Sequence, residues 1–190
     1  MILLRHGQSE FNVHFTATRK DPGIIDARLT EHGHAQAEAA AVALADQAIS
    51  RIIVSPFTRT LQTAAPVARA LRIPVIVNPL VRERCAFVCD IGTPRTELGF
   101  SWPDIDFAHI EEVWWPPMPE PASDVIDRAD RFRAEMAMLP DWSDTLVVTH
   151  WGFIMALTGL SVQNGTWMRY DPTLPAPAEI SWRPPAPPPA

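Results

Sequence analysis

The 190-residue chain is 47% hydrophobic and 20% charged, an ordinary composition for a soluble globular protein and a length that suits one domain. Its formal charge of −6 argues against general nucleic-acid binding, which relies on clustered Lys and Arg, but leaves room for a small phosphorylated ligand in a locally positive pocket. No apolar run is long enough to span a membrane, and the opening MILLRHGQSEFN lacks the apolar length and cleavage site of a signal peptide, so the sequence reads as cytoplasmic.

Residues 1–4 form a short apolar run that reads as a buried strand, ending on Arg5, His6 and Gly7. Thr30 is placed to cap an Ala-rich helix over 31–46. A second strand over 51–54 leads into a helix over 58–71 that carries Arg59 in its first turn. A third strand follows at 74–77. Residues 82–122 show no clear periodicity; Trp102, Trp114 and Trp115 within them favour an ordered insert over a disordered one. Cys85 and Cys89, the only cysteines, read as free thiols rather than a disulfide framework or a metal pair. Ser123 is the expected cap of an amphipathic helix over 123–139. A fourth strand over 145–149 ends on His150, and a helix over 152–160 follows. Two late strands are expected at 166–170 and 179–182, and residues 184–190 read as a Pro-rich extended tail. This order predicts an α/β domain over 1–183, a three-layer α/β/α sandwich with a mainly parallel sheet and an insert at about 82–122.

Ligands of open α/β sheets bind just beyond the carboxyl ends of the strands. Three strand ends here deliver Arg5 and His6, then Arg59, then His150 to one edge. A lone histidine at a strand end is more often hydrogen-bonded structure, and a lone arginine in a first helical turn is more often solvated. Their joint placement argues for a site. Gly7 lets the backbone turn and approach a ligand, and Asn12 follows at a distance that returns its amide to the same pocket.

These blocks together resemble the histidine phosphatase superfamily, also called the phosphoglycerate mutase-like family. Arg5-His6-Gly7 matches its signature tripeptide, with Asn12 at the matching offset. Leu29, Thr30 and Gly33 match its Leu-Thr-x-x-Gly segment, SPFTRTLQTA its second signature, Glu83 in LVRERC its acidic position, and VVTH its second histidine. The similarity covers most of residues 1–160. It implies a phosphoglycerate mutase-like fold and a phosphatase that hydrolyses a phosphate monoester through phosphohistidine on His6. Glu83 is then the proton donor, Arg5, Asn12 and Arg59 bind phosphate, and His150 adds a donor when protonated. Neither metal nor other cofactor is implied. The partner is a small phosphorylated substrate or a phosphoprotein, with no nucleic acid and no membrane.

Two alternatives stand beside this reading. One is a phosphoglycerate-type mutase, although CAFVCDIGT after Glu83 is apolar where the family's mutases carry basic residues. The other is a non-catalytic phosphate-ligand binding or scaffold protein, although no matching functional residue is missing. Glu83 taken alone reads as a surface ion pair within RER; flanking Arg82 and Arg84 would lower its pKa if they pointed the same way. Trp151 departs from the small residues common after the second histidine. Arg95 and His14 are further candidates for substrate contact, with solvation as their default.

Overall fold

The computed structural model describes residues 1–182; the Pro-rich tail at 184–190 lies outside the described residues. Five strands form one sheet: β1 (Ile2–Arg5), β2 (Arg51–Val54), β3 (Val75–Val77), β4 (Thr145–Thr149) and β5 (Trp167–Arg169), in the order β3-β2-β4-β1-β5. All neighbours are parallel except β1 and β5. The helices are α1 (Glu10–Thr18), α2 (Glu31–Leu44), α3 (Thr58–Leu71), α4 (Arg95–Ser101), α5 (Ala122–Ala137) and α6 (Trp151–Thr158).

Side chains on successive strand residues point to opposite faces, so the central strands feed two cores. Ile2, Leu4, Ile52, Val54, Leu146 and Val148 face α2 and α3. Leu3, Ile53 and Val147 face α5 and α6. The sheet buried on both faces explains why its strands read as continuous apolar runs rather than alternating ones. Ala37, Ala40 and Ala41 form the inner face of α2, and these small side chains let it pack closely on α3. Thr30 caps α2 as expected, accepting from the Gly33 amide at 3.0 Å. No helix among the described residues is long and apolar enough to cross a membrane.

Three expectations need correction. The strand expected at 179–182 does not form; instead Trp182 lies against the Arg84 guanidinium, 5.1 Å from ring centre to Cζ. Ser123 is not the cap of α5, which begins at Ala122 after Pro121, with the Ser123 hydroxyl turned to Asp124 at 3.0 Å. Helices α1 and α4 were not foreseen. For α1 the available signal is Ser9, whose side chain and backbone exchange hydrogen bonds with Asn12 in a capping arrangement.

The insert is ordered because its apolar residues join the core. Phe107, Ile110 and Trp114 are buried there, and Trp114 meets Phe57 edge-on at 4.6 Å. Its two ends are tied by Glu120, 1% exposed, which accepts from Arg82 Nη2 at 2.8 Å, Arg128 Nε at 3.0 Å and the Cys85 amide at 3.0 Å. Arg128, on α5, also donates to the carbonyls of Leu80, Arg82 and Glu83 at 2.7–3.1 Å. A single guanidinium thus holds the segment that carries Glu83.

Gly7 turns out to matter for a reason other than ligand approach. Its backbone faces that of Gly33, and a Cβ at either position would run into backbone atoms of the other segment, Gly33 O or Gln8 O. Gly33 sits in the first turn of α2, where helix propensity alone would favour alanine by about 1 kcal/mol. Gly33→Ala is nevertheless expected to destabilise by about 2 kcal/mol, a Tm fall of roughly 5 °C in a thermal melt. A neutral or raised Tm would show that the two segments separate freely.

Candidate active site

The register sets the site. Leu4 pairs with Val148 and Val148 with Val54, so β1, β4 and β2 end side by side. The chain leaving each strand therefore emerges at one edge. His6 stays fixed to β4 through its amide, which donates to Thr149 O at 2.9 Å. The rings of His6 and His150 meet edge-on with centroids 5.1 Å apart.

His6 Nδ1 lies 2.7 Å from Gly7 O, so it carries the proton and donates to that carbonyl. The lone pair is then on Nε2. Burial, followed by the positive charges of Arg59 and Arg5, holds the imidazole pKa well below its usual value. The ring is therefore neutral at physiological pH. His150 is fully buried behind it, with Nε2 2.8 Å from Ser55 Oγ, and does not line the cavity. Burial, then Arg59, also keeps His150 neutral in the free protein, whereas the donor role expected of it requires a proton.

Both arginines are buried and each is anchored by part of its fork. Arg5 Nη1 donates to Val162 O at 2.7 Å, while among the described residues nothing accepts from its Nε. Burial lowers the Arg5 pKa to about 10, which leaves it charged at neutral pH. Arg59 lies over the Phe57 ring at 4.2 Å and donates to Cys89 O at 2.9 Å and to Asp90 Oδ1 at 3.0 Å. The other Asp90 oxygen accepts from the amides of Ala86 and Phe87. Asp26 supplies the start of α3 with the cap its own N-cap residue lacks, accepting from the Thr58 amide at 3.0 Å and hydroxyl at 2.7 Å.

Asn12 Oδ1 is committed to Ser9 and to Asn164 Nδ2, at 3.0 and 3.1 Å, which directs its own amide donor elsewhere. Asn164 also donates to His6 O at 3.1 Å. Glu83 Oε1 accepts from the amides of Arg84 and Gly152, both at 2.8 Å. A Cβ at residue 152 would meet that carboxylate oxygen, so a side chain at the start of α6 would push the Glu83 carboxyl out of its present place. Burial, then the negative charge of Asp90, raises the Glu83 pKa to about 7, outweighing Arg59 and Arg5. Arg82 and Arg84 both turn away from the Glu83 carboxyl. Arg82 pairs with Glu120, and Arg84 donates to Glu120 O and stacks on Trp182.

Arg5, His6, Asn12, Arg59 and Glu83 line one cavity of about 470 Å³. Arg95 does not reach it and pairs with Glu112 at 3.3 Å; His14 is exposed outside it. Trp102, Trp114 and Trp115 are also absent from its lining, which takes its indoles from Trp151 and Trp182 instead. Cys89 lines it, but burial pushes its thiol far up, so it is no thiolate nucleophile. Among the described residues no group of three or more His, Cys, Asp or Glu side chains is placed to hold a metal ion. Sequence reasoning missed Asp90, Asn164 and Arg128. Asp90 had a cue in its position shortly after Glu83; the other two had none, because they act from distant segments.

The family model described as histidine phosphatase superfamily (branch 1) matches residues 1–182. Over 155 residues the chain is 32% identical to a Serratia proteamaculans protein named "Probable phosphoglycerate mutase GpmB", covering 78% of this chain and 67% of that one. Over 176 residues it is 32% identical to a glucosyl-3-phosphoglycerate phosphatase of Mycolicibacterium vanbaalenii, covering 86% of this chain and 76% of that one. A solved structure of mycobacterial glucosyl-3-phosphoglycerate phosphatase in complex with VO3 superposes with a TM-score of 0.63 at 26% identity, covering 88% of each chain.

The Glu83 pKa has a consequence for stability. A carboxyl ionising at about 7 when folded, against 4.5 when exposed, favours the folded state fully below pH 4.5 and progressively less as pH rises through 7. Glu83→Gln keeps an oxygen for both amides and removes the ionisation. Its Tm relative to wild type should rise between pH 4.5 and 7 and then level off, a gain of about 3 kcal/mol at pH 8. A Tm difference independent of pH would show that Glu83 ionises normally.

Proposed function

The chain belongs to the histidine phosphatase superfamily, and from that membership we propose that it is a metal-independent phosphatase that hydrolyses a phosphate monoester through phosphohistidine on His6. The observation that carries this reading is the His6 Nδ1–H bond to Gly7 O, which leaves Nε2 unprotonated in a cavity lined by two buried arginines.

In this mechanism His6 Nε2 attacks phosphorus and the bond to the ester oxygen breaks. The leaving oxygen takes the proton of the Glu83 carboxyl. Water then attacks the phosphohistidine, giving its proton to the Glu83 carboxylate, and the phosphorus–nitrogen bond breaks to regenerate neutral His6 and inorganic phosphate. A carboxyl with a pKa near 7 suits both halves of the cycle. Arg5 and Arg59 offer planar forks to the phosphoryl oxygens and supply the positive charge that Mg²⁺ brings in many phosphoryl-transfer enzymes. Asn12 adds an uncharged donor. His150 meets the edge of the His6 ring, and protonation in the presence of the incoming dianion would make both of its ring nitrogens donors. A cavity of about 470 Å³ is of the size that takes a small phosphorylated molecule.

Relatives include proteins named as mutases. Arg19 and Arg84 line the cavity as well, but the stretch that follows Arg84 contributes the apolar Ala86, Phe87 and Cys89, which favours hydrolysis.

His6→Ala should lower turnover by on the order of 10³-fold or more while leaving the thermal melt intact. Wild-type-like phosphate release from that variant would sink the mechanism. Glu83→Gln should cost about 10²-fold or more on an alkyl phosphate and much less on an aryl phosphate, whose leaving oxygen needs less protonation. For the alkyl ester, kcat/KM of the wild type should fall above pH 7 as Glu83 loses its proton, and that limb should vanish in Glu83→Gln. Incubation with EDTA followed by dialysis should leave activity unchanged; loss restored by Mg²⁺ or Zn²⁺ would replace the two arginines with a metal.

A further inference from the structure

Beyond the groups assigned to phosphoryl transfer, the cavity is strongly aromatic. Phe11 and Phe15, four apart on α1, stack with centroids 5.1 Å apart and an interplanar angle of 16°. Phe87, from the segment after Glu83, closes on both at 5.2 and 4.9 Å. Phe87 is held in place by its amide bond to Asp90 Oδ2 at 3.0 Å, the same carboxylate that grips Arg59. Trp151 and Trp182 add two indoles to the lining. Trp151 is fixed by its Nε1–H bond to Ser161 Oγ at 2.9 Å, and Trp182 by the Arg84 guanidinium at 5.1 Å.

Many of the polar groups beside the phosphate-binding end are already paired, and the polar side chains without a hydrogen-bond partner in the lining, among the described residues, are Thr16, Arg19 and Gln163, with Arg84 engaged only through Nε. Ser9, Asn12 and Asn164 bond one another, and Glu83 and Asp90 accept from backbone amides. A polyol leaving group needs many donors and acceptors once it loses water, and each unmet one is costly. A flat apolar group needs only the area that five aromatic side chains provide.

We propose that the leaving-group half of this cavity is an aromatic slot formed by Phe11, Phe15, Phe87, Trp151 and Trp182, and that the substrate is a phosphomonoester of an aromatic or comparably flat apolar alcohol rather than of a sugar or a glycerate. The proposal rests on the phosphatase reading for its chemistry, but the slot binds the alcohol portion whether or not phosphate is transferred.

The test compares 2-(1-naphthyl)ethyl phosphate with glycerol 3-phosphate and 3-phosphoglycerate. All are alkyl esters, so intrinsic leaving-group reactivity does not create the preference. The naphthylethyl ester should show a kcat/KM at least about tenfold higher, a difference that burial of one ring system readily supplies. Phe87→Ala and Phe15→Ala should each shrink that ratio severalfold. Equal rates overturn the proposal. So does a preference for 3-phosphoglycerate that disappears in Arg84→Ala or Arg19→Ala, since these two cations also line the cavity. Calorimetric titration with 2-(1-naphthyl)ethanol separates the slot from the chemistry. Binding by wild type and by His6→Ala, weakened in Phe87→Ala, supports the slot even if no ester is hydrolysed, an outcome that would instead sink the phosphatase reading. Absence of binding to the wild type overturns the slot.

Discussion

The buried pair between Arg59 and Asp90, with side chains 3% and 2% exposed, is the interaction on which the rest of the site depends. Removing two charges from water is expensive, and such a pair adds little net stability compared with a well-packed apolar one. Its value here is positional. One Asp90 oxygen orients the guanidinium, while the other takes the amides of Ala86 and Phe87 and so shapes the segment that follows Glu83. The same negative charge helps hold the Glu83 proton. A single carboxylate thereby connects the Arg59 guanidinium, the Glu83 proton and the aromatic lining.

Burial drives the two reacting groups in opposite directions, and both directions serve the proposed chemistry. It removes the proton from His6, assisted by two nearby positive charges. It keeps a proton on Glu83 to about pH 7, because desolvation and Asp90 together exceed the pull of those same arginines. Each shift follows from disfavouring the charged form in a low-dielectric site. A neutral imidazole and a protonated carboxyl are thus obtained from a histidine and a glutamate of ordinary intrinsic pKa.

A second buried network fixes the acid in space. Glu120 joins Arg82 and Arg128, and Arg128 spreads its remaining donors over the carbonyls of residues 80, 82 and 83. Backbone carbonyls in an irregular segment would otherwise lack partners when buried. The segment through Glu83, which follows a single 3-10 turn at Pro79–Val81, is thus held in place without strand or helix pairing of its own. Gly152 completes the arrangement, since its amide meets the carboxylate and any side chain there would displace it.

The amino-acid sequence by itself determined the strands that carry the site, because short runs of Ile, Val and Leu buried on both faces leave a pattern independent of context. It also determined which residues stand at their ends, so Arg5, His6, Arg59 and His150 were legible as a group. Local chemistry likewise marked Thr30 as a cap. Tertiary structure alone decided the rest. Asn164 reaches His6 from 158 residues away and Arg128 reaches Glu83 from 45, separations at which sequence spacing carries no information. Whether Glu83 is an exposed ion pair within RER or a buried acid depends on where Arg82 and Arg84 turn, and Glu120 and Trp182 decide that. The tryptophans of the insert and those of the cavity look alike in sequence; only packing sends Trp114 into the core and Trp151 to the cavity lining. The physical reason is common to all three. Strand and cap signals arise from interactions a few residues apart, whereas burial, charge pairing and aromatic contact are set by segments that meet only once the chain has folded.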